Sequence, residues 1–434
     1  MEIQNRREFL KVSGLAAAGG MLTLNACSTG APLAAGVPVN PDVKLKVGLV
    51  GCGGRGTGAA NQALSADPNV ELISVADIFD DKPAESLNLL RMRHGDKVNV
   101  PEENIFIGFD GYQKVIDSGI DVVLLAGPSR FRPKHLEAAV DTGLHIFCEK
   151  PVAVDAPGAR RVYEAARKAK EANLSIVSGF CWRYDYPKRA FYDRILGGDV
   201  GEIRSIYNTY NTGAARVIES NQDWSEAQHQ LRNWIYYNWI AGDHIVEQAV
   251  HSIDFMQWAM GDQLPVSAVG TGGRQVRTDS IYGNIYDHFA ITYQYSNGAK
   301  GFHFSRQQPN CENSYKAEIF GTDGIGLAPA SGDHIIRARR EWVYEGEENQ
   351  MYQTQHDELF AAIRQGRPIN DGEFMTTSTM LAIMGRMAAY TGRKITWEQA
   401  INSTESLGPE IDSWEDVPAI SSLSVAMPGV TEFT

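Results

Sequence analysis

Three groups of residues in this chain have the types and spacing to do chemistry. The first is Gly51-Cys52-Gly53-Gly54-Arg55-Gly56, with an acid, Asp77, about twenty residues on. In such a turn Gly51 allows the sharp bend, Gly53 lets the backbone approach a pyrophosphate, and Gly56 lets the following helix pack on the strand. The first N–H groups of that helix draw phosphate, so Gly54 and Arg55 join the cofactor-binding set. Asp77 stands where a carboxylate accepts from the adenosine ribose. Ile78 beside it, rather than an arginine, favours NAD over NADP.

The second group is Cys148-Glu149-Lys150-Pro151, which places an amine and a carboxylate directly after an apolar run. The third is the stretch 242–254. Read as one helix at 100° per residue, it gathers His244, Glu247, Gln248, His251 and Asp254 into an arc of roughly 120°. Ile245, Val246, Ala249, Val250 and Ile253 take the other side. A polar face with two histidines and two acids but no Lys or Arg differs from an ordinary solvated face, and it is expected to be a site. A metal is the weaker reading. His244 and His251 lie about 10.5 Å apart along a helix, and the compact HExxH spacing is absent.

The elements that position these groups alternate strand and helix. Residues 44–50 read as a strand ahead of the glycine turn and 57–66 as a helix. Residues 71–76, 120–126 and 144–148 read as further buried strands, with a helix over 134–142. Ligands of open α/β sheets sit beyond the carboxyl ends of the strands, so Gly127, Pro128, Glu149 and Lys150 share one rim with the glycine turn. Beyond residue 200 the pattern changes. Residues 288–295 and 300–306 flank Asn297-Gly298 as a hairpin, and 201–207, 266–276 and 335–344 add strands. Helices are expected at 355–364 and 376–390. The fold expected is α/β: an N-terminal doubly wound Rossmann sheet over 42–172, then an α+β domain with an open sheet over 173–400, and a tail over 401–434 lying on the surface.

The GCGGRG turn, Asp77 and above all CEKP at 148–151 resemble the Gfo/Idh/MocA oxidoreductases, named for glucose–fructose oxidoreductase and inositol dehydrogenase. The resemblance runs over roughly 44–400. It implies a large, mainly antiparallel second sheet facing the nicotinamide, and it places Lys150 beside nicotinamide and substrate hydroxyl. It aligns His251 and Asp254 with a family His and Asp, and sets Glu247 where the family usually has Asp. Lys150, His251 and Glu247 are therefore the expected catalytic residues: His251 as base with Lys150 as polarising partner, or the reverse. The aromatic and polar run 232–239 offers sugar contacts through Arg232, Trp234 and Tyr237. Arg183, Tyr184 and His244 are further substrate candidates, alongside His251. The expected activity is hydride transfer from a sugar or glycoside hydroxyl to NAD. Glycoside cleavage through a transient C3 ketone and a non-catalytic sugar- and NAD-binding role stand as alternatives. The family also implies a homo-oligomer.

The first residues carry an address. Arg6-Arg7 ahead of Phe9-Leu10-Lys11 and an uncharged stretch over 12–26 resemble a twin-arginine export signal. Leu24-Asn25-Ala26-Cys27 resembles a lipobox, in which Cys27 would carry a lipid anchor. Residues 28–41 read as a flexible tether. A periplasmic or cell-envelope protein exported after folding would keep its cofactor, and Cys52, Cys148, Cys181 and Cys311 are expected as free thiols. With 53 acidic against 40 basic residues, the net charge of −13 argues against nucleic acid as a partner.

Overall fold

The computed structural model describes residues 35–219 and 221–434. The twin-arginine motif and Cys27 lie outside these residues, as does most of the expected tether. No helix among the described residues is long and apolar enough to cross a membrane.

Six parallel strands form the first sheet: β1 (Leu45–Val50), β2 (Val70–Asp77), β3 (Ile105–Ile107), β4 (Val122–Leu125), β5 (His145–Cys148) and β6 (Ile176–Ser178), in the order β3-β2-β1-β4-β5-β6. The strands are continuous apolar runs because helices cover both faces; Val122, Val123 and Leu124 are fully buried. The order reverses beside β1, which opens a crevice at the carboxyl edge next to the glycine turn. β6 belongs to this sheet, so the first domain continues past residue 172 and ends near Gly179. The run from Leu174 pairs in parallel with β5, the strand before it in sequence, across the helix Ala156–Glu171.

The second sheet has nine strands: β7 (Ile203–Thr212), β8 (Ser267–Gly273), β9 (His288–Gln294), β10 (Lys300–Gln307), β11 (Ser314–Gly321), β12 (Ile325–Pro329), β13 (Ile335–Arg337), β14 (Glu341–Val343) and β15 (Ile395–Thr396). Their order is β14-β13-β12-β11-β7-β10-β9-β8-β15, antiparallel except for the parallel pair β7 and β10. β9 and β10 form the hairpin that Asn297-Gly298 specifies. Residues 335–344 form two short strands paired as a hairpin rather than one.

Alternation along β9 buries Phe289, Ile291 and Tyr293 under the helix Gly372–Thr391, almost all of whose residues are buried. The helix Met351–Gln365 instead puts Leu359, Phe360 and Ile363 into the core of the first domain. The helix Gly372–Thr391 also packs on the helix Ala156–Glu171 of the first domain and so joins the two. The residues after 401 do more than lie on the surface, because Glu405 pairs with the fully buried Arg386 at 2.7 Å.

Candidate active site

The glycine turn has the shape a dinucleotide requires. Gly51 adopts φ +93°, and a Cβ there would fall 2.5 Å from the Gly127 nitrogen; a Cβ on Gly56 would fall 1.8 Å from the Gly51 carbonyl oxygen. Gly53 and Gly54 face open space, where a side chain would meet nothing within 4 Å. The helix Gly54–Ala66 starts with no side-chain cap, which leaves its first N–H groups free for an anion. Asp77 accepts from the Cys52 N–H at 2.7 Å and the Phe79 N–H at 3.0 Å. Those bonds fix its carboxylate at the mouth of a groove lined by Gly51, Ile78, Phe109, Gly127, Pro128 and Phe131. Burial raises its pKa from the ordinary value. These residues fit NAD: an open backbone for the pyrophosphate, an oriented carboxylate for the ribose and apolar walls for the adenine.

Arg55 ties the turn to the second motif, its Nε donating to Glu149 Oε1 at 2.7 Å. Glu149 is buried, so this ion pair joins β1 and β5 across the sheet. The Arg55 guanidinium also stands 5.0 Å from the centre of the Tyr352 ring. Tyr352 lies near the Cys181 thiol, which burial raises to about 11. Neither Tyr352 nor Cys181 was legible as a site neighbour, because both enter from segments with no motif.

Lys150 leaves the end of β5 and meets the second domain. Its Nζ donates to the Glu247 backbone carbonyl and lies 3.4 Å from Glu247 Oε1. His251 lies close enough to feel that charge. Its imidazole is held well below the ordinary 6.5, first by burial and then by Lys150, so it is neutral at pH 7. Trp182 packs against its ring at 4.9 Å and Phe180 meets it edge-on at 5.8 Å. Nδ1 is sealed from solvent without a partner, which leaves Nε2 as the nitrogen able to exchange a proton with a ligand. Tyr210, on β7, is raised by burial and, less strongly, by the nearby Glu247 carboxylate.

The single polar helix face expected over 242–254 is not formed. The segment breaks into His244–Glu247 and Val250–Ala259, and nearly all of it is buried. The break divides the five polar residues among different partners. His244 is fully buried, with Nδ1 3.2 Å from the Tyr286 carbonyl oxygen, and stands apart from the Lys150 cluster. Asp254 is a buried counter-ion. It accepts a two-pronged bond from Arg183 at 2.9 and 3.0 Å, and another from Ser378 at 2.7 Å. Only Glu247 and His251 remain with Lys150, and Gln248 turns to Gln307. Among the described residues no group of three His, Cys, Asp or Glu could hold a metal ion.

The other substrate candidates also take different places. Arg183 pairs with Asp254 and Asp262, its guanidinium 4.7 Å from the Trp258 ring and 4.5 Å from that of Phe374. The Tyr184 hydroxyl donates to the buried Asp371 at 2.6 Å. Both are structural in this fold, because a charge or hydroxyl at that depth needs a protein partner. Tyr237 is 1% exposed, and Trp234 is half-buried in a cluster with Phe79 and the groove residues Ile78, Phe109 and Phe131. Arg232 forms a two-pronged pair with Asp81 at 2.8 and 3.1 Å. The 232–239 run therefore adjoins the adenosine end of the groove rather than Lys150. Sequence alone could not separate these ends, since both lie far away along the chain. Cys52, Cys148 and Cys181 are buried free thiols, and Cys311 is exposed.

A Rossmann sheet with this turn, joined to an open nine-stranded sheet, defines a two-domain nicotinamide-dependent oxidoreductase. Residues 45–176 match the oxidoreductase family with an NAD-binding Rossmann fold, and residues 192–325 match the GFO/IDH/MocA C-terminal domain. The chain belongs to the Gfo/Idh/MocA family and binds NAD. Among curated relatives it is 23% identical to inositol 2-dehydrogenase of Rhizobium meliloti, over 76% of this chain and 92% of the relative. It is 26% identical to levoglucosan dehydrogenase of Pseudarthrobacter phenanthrenivorans, over 48% of this chain and 55% of that one. Of solved structures, aldose–aldose oxidoreductase from Caulobacter crescentus superposes with a TM-score of 0.64 at 18% identity, over 81% of this chain and 99% of that one.

Proposed function

We propose that the protein oxidises a hydroxyl of a sugar or glycoside, with His251 as the base and Lys150 holding the substrate oxygen. The carrying observation is the meeting of Lys150, Glu247 and His251 where the Rossmann rim touches the second domain. NAD supplies the hydride acceptor. With NAD bound as that acceptor, His251 Nε2 would take the hydroxyl proton of the carbon being oxidised to a carbonyl. A neutral imidazole can take that proton, and the Lys150 ammonium stabilises the negative charge developing on oxygen. Glu247 holds Lys150 in place through both its carboxylate and its backbone carbonyl. The inositol and levoglucosan dehydrogenases among the relatives support a polyol or sugar as substrate class.

The Arg6-Arg7 motif supports export by the twin-arginine route to the periplasm or envelope, with a lipid on Cys27. An exported enzyme must carry its cofactor with it and reoxidise it in place. The exposed apolar residues Val269, Phe304 and Ile325 on the open sheet support a homo-oligomer.

The test is incubation of the purified protein with a panel of sugars and aryl glycosides, following reduced nicotinamide and released aglycone. Absorbance of reduced NAD means net oxidation. Aglycone without it means glycoside cleavage by recycled redox. Neither, with sugar bound, contradicts an enzymatic role.

A further inference from the structure

We infer that the C-terminal segment 405–423 and Arg232 form a clasp over the adenosine end of the NAD groove, with Trp414 at its centre, and that this clasp slows cofactor release. The inference builds on the retained-cofactor reading above. Two phenylalanines line the groove, Phe109 after β3 and Phe131 after β4, and Phe79, which follows the lining residue Ile78 after β2, packs in the same hydrophobic cluster. The Trp414 ring lies 5.6 Å from that of Phe79 and 5.1 Å, edge-on, from that of Phe109. Residues more than three hundred positions apart in sequence therefore meet over the same crevice.

The segment is held at both ends. On the Rossmann side Arg130 donates to the carbonyls of Gly408 and Pro409, Lys134 pairs with Asp412, and Arg161 pairs with Glu410 at 2.9 Å. On the second-domain side Gln230 donates to the Pro418 carbonyl at 2.7 Å. Arg232 closes the remaining edge. It pairs with Asp81 while its guanidinium lies 4.0 Å from the Phe79 ring centre. A dinucleotide seated against Asp77 and Ile78 can leave only after these aromatic and ionic contacts part. Such gating acts mainly on the dissociation rate. The aldose–aldose oxidoreductase is covered over 99% of its length by 81% of this chain, so this chain carries segments beyond the shared scaffold.

The experiment loads the full chain with NADH and follows its fluorescence after a chase with excess NAD. Wild type is compared with Trp414→Ala, Trp414→Phe and Asp412→Ala. Release at least tenfold faster in Trp414→Ala, near wild type in Trp414→Phe, and intermediate in Asp412→Ala supports the clasp. Asp412→Ala removes only an exposed ion pair, so the test survives if Trp414→Ala fails to fold; an unchanged rate in the variants that do fold overturns the clasp while leaving the oxidoreductase reading intact. Wild-type protein that binds no NADH overturns both.

Discussion

Lys150 reaches across the domain boundary to donate to the Glu247 backbone carbonyl, with its ammonium 3.4 Å from the Glu247 carboxylate. The Lys150 amine is therefore anchored by the second domain although it belongs to the first. Lys150→Ala and His251→Ala are each expected to lower kcat by roughly 10²–10⁴, the usual worth of a positioned acid or base. NADH affinity, measured by fluorescence titration, should change little. Near-normal turnover in both variants contradicts the assignment.

Glu247 is expected to act through Lys150. Glu247→Gln removes the charge but keeps the backbone carbonyl, so kcat should fall less than in Lys150→Ala, by about 10-fold if hydrogen-bonded charge contributes roughly 1.4 kcal/mol. Glu247→Asp should recover part of the loss, since the backbone contact survives and only the reach changes. Steady-state kinetics of the two variants check this, and a larger loss in Glu247→Asp than in Glu247→Gln would argue that reach rather than charge matters.

The pH dependence follows from neutral, buried imidazoles. His251 is depressed below 6.5, so kcat/KM should stay flat as pH falls through 6.5 and drop only at lower pH. Stability behaves differently. Burial holds His135 and His303 at about 3, and His145 and His334 at about 4. The unfolded chain protonates these groups below about 6.5, so it binds more protons than the folded state and stability declines as pH falls from there. Each such group costs about 1.4 kcal/mol at one pH unit below 6.5. Asp371, raised to about 6 by burial, opposes them as a single group, gaining stability as pH falls through that value. The Tm is expected to drop between about pH 7 and 5; a Tm that rises over that range contradicts the assignment of neutral histidines.

Arg183 and Asp254 form a buried pair, and removing one partner leaves the other uncompensated. Arg183→Ala and Asp254→Ala are expected to destabilise by about 3–5 kcal/mol in denaturant melts. If Arg183 contacted substrate instead, its variant would raise KM with stability intact.

Much of the first domain was legible because its signals are local. The turn, the acid after β2 and the apolar strands each sit within a few residues of what they need. The hairpin of β9 and β10 was legible for the same reason, through Asn297-Gly298. The polar arc over 242–254 misled, because helical periodicity assumes an unbroken helix. Asp243, at φ +75°, instead starts a short helix that stops at Glu247, and the Tyr286 N–H and Tyr390 hydroxyl hold its carboxylate from distant segments. Arg183, after a strand, read as a substrate contact, and only the tertiary fold supplies Asp254. The role of the tail was hidden for a similar reason. A segment rich in Ser, Pro and acids carries no periodicity, and its aromatic anchor finds Phe79 and Phe109 only once the chain is folded.

Mass spectrometry of gently purified full-length protein, with absorbance followed as sugars are added, tests the central claim most directly. One NAD retained per chain, reduced on addition of a sugar in wild type but not in His251→Ala, is the expected result. A chain that carries no NAD and shows no affinity for it on titration would contradict the account.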